Sequence, residues 1–205
     1  MKKGNTKQEV LLAALDLFSV KGYEGTSISE IAQKVGIKKA TMYSHFTSKQ
    51  EILDELVRTV FEEYNKHTIF KNTNFEEMFN LDSTDVIDVN VVIEKVLKHV
   101  NYIIHSGVIS KLRKMLLIEQ FQNETLSELQ TKQNYTDVLN YFTSLFEYLI
   151  SKDKLKAYDP DIMAASFAFP ISVWINLVDR FPAKEDEVNS LITRHITQFF
   201  EVYSK

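Results

Sequence analysis

Lys38, Lys39, Ala40, Thr41, Tyr43 and His45 crowd into one short stretch, IKKATMYSH. Their chemistry suits a nucleic acid better than a reaction. An ammonium donates to guanine acceptors or phosphate oxygens, and a methyl group meets the thymine methyl. The Thr41 hydroxyl reaches a base edge or a phosphate. Such groups act together only at the start of a helix, where free backbone amides also face outward. Just upstream, Thr26 and Ser27 stand where a preceding helix begins and are candidate phosphate clamps. Each residue also has a plainer role: Thr26 as a cap, Tyr43 in partial packing, His45 as a bridge between helices.

The surrounding sequence supplies the elements that would position these groups. Ser27 followed by Glu30 is a capping box. Ile28, Ile31, Ala32 and Val35 then share a face at helical spacing. Gly36 stands where that helix must stop in a left-handed conformation. Ile37 covers the turn, and the small Ala32 allows a steep crossing. Before this pair, residues 9–20 carry Val10, Leu11, Ala14, Leu15 and Phe18 on one side of a helix. After it, Ser48 and Glu51 form a second capping box, ahead of an apolar stripe from Ile52 to Tyr64. The pattern predicts three short helices and one long one. The second and third form a helix-turn-helix whose second helix enters the major groove.

The first third of the chain resembles the TetR family of transcriptional regulators. The resemblance is carried by Ala13-Ala14, Phe18, Lys21-Gly22-Tyr23, Thr26-Ser27-Ile28, Ile31-Ala32, Val35-Gly36-Ile37, Lys39-Ala40-Thr41-Met42-Tyr43, His45-Phe46 and Ser48-Lys49. Lys38, Met42 and Ala40 depart from the family's usual serine, leucine and glycine. The resemblance implies that Tyr43, His45 and Lys49 contact the DNA backbone. It also implies an all-α chain with a helix-turn-helix domain over 1–48, a connecting helix over 49–66, and a helical effector-binding and dimerisation domain over 67–205.

The net charge of −4 is unpromising for a nucleic-acid binder until it is divided. Residues 1–50 hold eight lysines against four acids, a local charge of +4, so the remainder carries −8. Phosphate neutralisation needs a basic patch, not a basic protein. The polar, basic residues 1–6 read as a frayed end or as an arm reaching DNA. Cysteine is absent, which excludes disulfides and thiolate metal sites and fits a reducing cytoplasm. There is no signal-peptide core, and no uninterrupted apolar run approaches roughly 18 residues, so neither export nor a membrane partner is expected.

Beyond Lys66 the periodicity weakens through Phe70, Phe75, Met78, Phe79 and Leu81 to Asp88. Helical patterns resume over about 84–105, 108–121 and 124–152. Asp159-Pro160-Asp161 starts a helix that runs to about Phe181, and the acids 185–187 open the last. The helix over 159–181 is apolar on several sides, and that over 185–203 carries a broad stripe. The resemblance implies that these two helices make a homodimer. A dimer is also needed physically, since one short recognition helix reads too little DNA.

The resemblance further implies a small-molecule effector. Candidate lining residues are Tyr102, His105, Leu112, Met115, Glu119, Phe142, Phe146, Phe167 and Trp174, although most aromatics in a bundle are core. Pro170 inside a helix frees the Ser166 carbonyl, which would curve the bundle or face a ligand. The five histidines lack metal-ligand spacing, and no nucleophile motif, phosphate loop or carboxylate pair appears. Neither catalysis nor a cofactor is expected. The expectation is a repressor released from a palindromic operator by its effector. The alternative is an activator or architectural factor with a filled core and no ligand.

Overall fold

The computed structural model describes residues 6–68, 70, 74–76 and 87–205. Its helices are α1 (Thr6–Lys21), α2 (Ile28–Val35), α3 (Lys39–Tyr43), α4 (Lys49–His67), α5 (Val89–His105), α6 (Gly107–Glu119), α7 (Glu124–Thr131), α8 (Asp137–Ser151), α9 (Pro160–Arg180) and α10 (Glu185–Tyr203). No strand occurs among the described residues, only an isolated bridge between Leu155 and Ser204. The expected all-α fold is therefore observed. The expectations for residues 1–5, for Met78, Phe79 and Leu81, and for a helix start near 84 lie outside the described residues.

The chain divides into two compact units, Met1–His67 with Ser106–Gln130, and Thr68–His105 with Thr131–Lys205. In the first unit, α1 buries Val10, Leu11, Ala13, Ala14, Leu15 and Phe18 against α2, α4 and α6. Burying each large apolar side chain is worth about 1.5–3 kcal/mol, so this face fixes α1 as the hub of the unit. Ser106 caps α6 by accepting from the Ile109 amide at 3.4 Å. Lys111 of α6 pairs with Asp16 of α1 at 2.6 Å.

The second unit is built on an aromatic core. Phe167 of α9 packs on Phe142 of α8 and Phe199 of α10, each with centroids 4.9 Å away. Phe146 stacks on Phe199 at 5.1 Å. Asp159 caps α9 as its sequence implies, accepting from the Asp161 amide at 3.0 Å and the Ile162 amide at 3.3 Å, with Pro160 in the first turn.

The helix expected over 124–152 runs unbroken from Glu124 to Ser151, except that Lys132–Thr136 widens into a π-turn. Helix α9 has a mean hydropathy of 1.5 over an 18-residue window, so it could cross a membrane by length and composition alone. A buried core helix has the same composition. Met163, Phe167, Ile171, Ile175 and Val178 of α9 indeed lie in the core.

Candidate nucleic-acid interface

The local signals at the turn fold as their chemistry dictates. Ser27 Oγ accepts from the Glu30 amide at 3.2 Å, and the Ser27 amide donates to Glu30 Oε2 at 2.8 Å. The Glu30 carboxyl is held down to about 2, first by a hydrogen bond from Lys21 and then by Ser27. Gly36 ends α2 at φ 79°, and the Ile37 amide returns to Ala32 O at 3.0 Å. Lys38 is the N-cap of α3, and its side chain makes no capping bond. Met42 and Phe46 are buried behind α3. This anchoring leaves Lys38, Lys39, Ala40, Thr41, Tyr43 and His45 exposed.

Two expected phosphate contacts are placed differently. Thr26 is only 2% exposed, and its hydroxyl donates to Gly22 O at 2.9 Å, so the side chain closes the α1–α2 turn. Lys49 leans inward: its ammonium donates to Tyr23 O at 2.9 Å and Thr26 O at 3.2 Å. It also lies 4.1 Å from the Tyr23 ring centroid and 3.8 Å from Glu24 Oε2. A cation with two carbonyls, a ring face and a carboxylate already has its charge compensated. The capping box expected at Ser48 and Glu51 forms by half. Ser48 Oγ accepts from the Glu51 amide at 3.0 Å, but the carboxylate turns to the Thr47 amide at 2.6 Å.

Tyr23 is a centre of this unit that the sequence does not reveal. Its hydroxyl donates to Gln50 Oε1 at 3.1 Å, its ring packs on Phe18, and its amide donates to Glu119 Oε1 at 2.7 Å. Glu119 is 3% exposed. Gly22, at φ 77°, permits this approach, because a Cβ there would stand 2.6 Å from Glu119 Oε1. The 22–26 turn is thus held by α4 on one side and α6 on the other. Beside it opens a concavity of about 440 Å³ lined by Glu24–Glu30, Lys39, Tyr43 and Lys49.

An α2–turn–α3 pair with a basic, exposed N-terminus on the second helix is built to enter a groove. Residues 10–56 match the sequence profile of bacterial regulatory proteins of the tetR family. This segment is a TetR-family regulator domain. Over 68 residues it is 43% identical to IcaR, the negative transcriptional regulator of the biofilm operon icaADBC in Staphylococcus aureus strain Newman. That match covers 33% of this chain and 36% of IcaR, so the chain spans about a third of the length of the curated relatives it matches.

Solved TetR-family structures share the fold over nearly the full length. A regulator from Mesorhizobium loti MAFF303099 aligns with a TM-score of 0.67 at 22% identity, covering 100% of both chains. SmeT, the repressor of the Stenotrophomonas maltophilia multidrug efflux pump SmeDEF, aligns at 0.63 and 18%, covering 97% of this chain and 90% of its own. A SmeT–triclosan complex aligns at 0.58 and 20%, covering 98% and 93%. TetR-family members are regulators rather than enzymes.

The expected effector residues fall into both units. Leu112, Met115 and Glu119 are buried in the first. Tyr102, His105, Phe142, Phe146, Phe167 and Trp174 belong to the second. Phe142, Phe146 and Phe167 form its core, while Trp174 packs edge-on to His195 with centroids 5.5 Å apart. Tyr102 is half-buried, and His105 is exposed and bonded to Glu185 at 2.8 Å. Near Pro170, His195 Nε2 donates to Phe167 O at 2.9 Å, the carbonyl next to the one that proline frees.

Proposed function

We propose that the chain is a cytoplasmic homodimeric repressor that grips a palindromic operator through α2, the turn and α3, and lets go when a small molecule binds. The observation that carries the DNA reading is the exposed run from Lys38 to Tyr43, set on a helix whose other face is buried through Met42. Lys38 and Lys39 supply charge, Ala40 and Thr41 supply contacts to base edges, and Tyr43, His45 and Ser27 supply contacts to the backbone. Thr26 and Lys49 hold the turn in place.

Dimerisation is supported by apolar surface on the last two long helices. Ile162 and Val173 of α9 are 65% and 63% exposed, and Val202 of α10 is 49% exposed. Exposed apolar side chains on two helices that pack together fit an association face. Two-fold pairing would set two recognition helices about 34–36 Å apart, or a multiple of it, to match successive major grooves. Repression is supported by the name of IcaR, a negative regulator, and effector control by SmeT's complex with triclosan.

Capture of chromosomal DNA bound by the chain, starting with the region around its own gene, tests the reading. A palindromic site lost on Lys39→Ala is the expected result. Binding that is salt-sensitive but has no preferred sequence would reduce the function to general DNA association.

A further inference from the structure

Among the described residues of the second unit, His99 Nε2 of α5 and Tyr148 Oη of α8 are buried with no hydrogen-bond partner. His99 is 8% exposed, and burial pushes its imidazole down to about 4, so it is neutral at physiological pH. An aromatic chain connects the two groups. Phe70 meets His99 edge-on at 5.2 Å and Tyr141 at 5.4 Å. Phe75 lies 5.6 Å from Tyr141 and 5.7 Å from Tyr148, all measured between ring centroids. A buried polar atom left unsatisfied is costly, and native proteins pair nearly all of them. Two such atoms on one aromatic wall call for a partner that arrives from outside.

We propose that His99 and Tyr148 mark a binding site in this unit for a neutral, flat aromatic molecule that carries a hydroxyl group. This rests on the effector reading above and names the class of ligand. Ring edges and faces of the wall accept a flat apolar body. The hydroxyl is both donor and acceptor, so it can satisfy a neutral imidazole nitrogen or a phenol. A charged ligand would meet no compensating charge from either group and would be penalised by desolvation.

The test uses the full-length protein with 2-naphthol, naphthalene and 2-naphthoate as probes, read by calorimetry and by the histidine side-chain 15N spectrum. The expected result is that 2-naphthol binds about tenfold tighter than either other probe, the worth of one buried hydrogen bond, and moves the His99 Nε2 resonance. His99→Phe should abolish the preference for naphthol over naphthalene. Tyr148→Phe should weaken it, and provides the comparison if the first variant does not fold. Equal binding of naphthol and naphthalene, tighter binding of naphthoate, an unmoved His99 signal, or no binding would each overturn the site.

Release of the captured DNA is measured alongside. Naphthol bound at His99 without release leaves the site standing and removes the effector reading. Release with an unmoved His99 does the reverse.

Discussion

The Tyr23 amide donates to Glu119 Oε1 at 2.7 Å across 96 positions of chain, and so fastens the C-terminus of α6 to the turn that leads into the recognition pair. Helix α6 packs on both α1 and α4. A shift of α6 therefore carries the turn with it, as do the Lys111–Asp16 pair and the close approach at Gly22. Helix α4 follows the recognition pair directly and reaches the same turn through the Tyr23–Gln50 bond. The first unit offers α6 as a second route to the same turn, and coupling of about 1–3 kcal/mol is enough for regulation.

Glu119→Ala should strand the buried Tyr23 amide and destabilise the protein by about 1–3 kcal/mol. Gly22→Ala should also destabilise it, because the new methyl meets the carboxylate at a left-handed φ. The two changes share one contact. Urea unfolding should show that the double variant loses less than the sum of the singles. Strict additivity would show that the latch does not exist.

Lys39 and Lys49 should separate in the salt dependence of DNA binding. Lys39→Ala removes a phosphate or base contact, so the slope of log K against log salt should flatten by about 0.9 for a lost phosphate contact. Lys49→Met should weaken binding by loosening the Tyr23–Thr26 turn, with the slope unchanged. A flatter slope for Lys49→Met would return that residue to the phosphate contacts.

The contrast between these lysines shows what the sequence could reveal. Ser27–Glu30, Gly36 and Asp159-Pro160 were legible because cap, turn and stop are decided within a few residues. The inward turn of Lys49 depends on carbonyls 26 and 23 positions away, and the burial of Glu119 on an amide 96 away. No local pattern encodes either. The Glu51 carboxylate is held by both the amide and the hydroxyl of Thr47, and spacing alone does not distinguish Thr47 from Ser48. Only residue type marks the effector candidates in the sequence. Type identifies apolar side chains without telling which are packed solid, and it passed over His99 and Tyr148, whose unpaired atoms appear only in three dimensions.

Val173→Asp should dissociate the proposed dimer, because a carboxylate at a 63% exposed position is harmless to a monomer but buried and unpaired in an α9–α10 interface. Sedimentation should show a monomer with the helix content of the parent, and binding to the full palindrome should fall with it. A variant that stays dimeric would place the interface elsewhere.

His99 should also imprint the acid limb of stability. Its folded value of about 4 lies below the ordinary 6.5, so between these limits the unfolded chain binds the extra proton. The benefit of keeping this imidazole neutral is complete above 6.5 and is lost as pH falls towards 4. The slope approaches about 1.4 kcal/mol per pH unit in that window. Glu30 has the same sign in a lower window: its contribution is present above 4.5 and is lost as pH falls towards about 2. Urea unfolding at pH 7, 6, 5 and 4.5 should therefore show the parent losing stability faster than His99→Phe, with the curves parallel above about 6.5. Parallel curves throughout would mean that His99 takes up its proton equally in both states, and that its burial does not hold in solution.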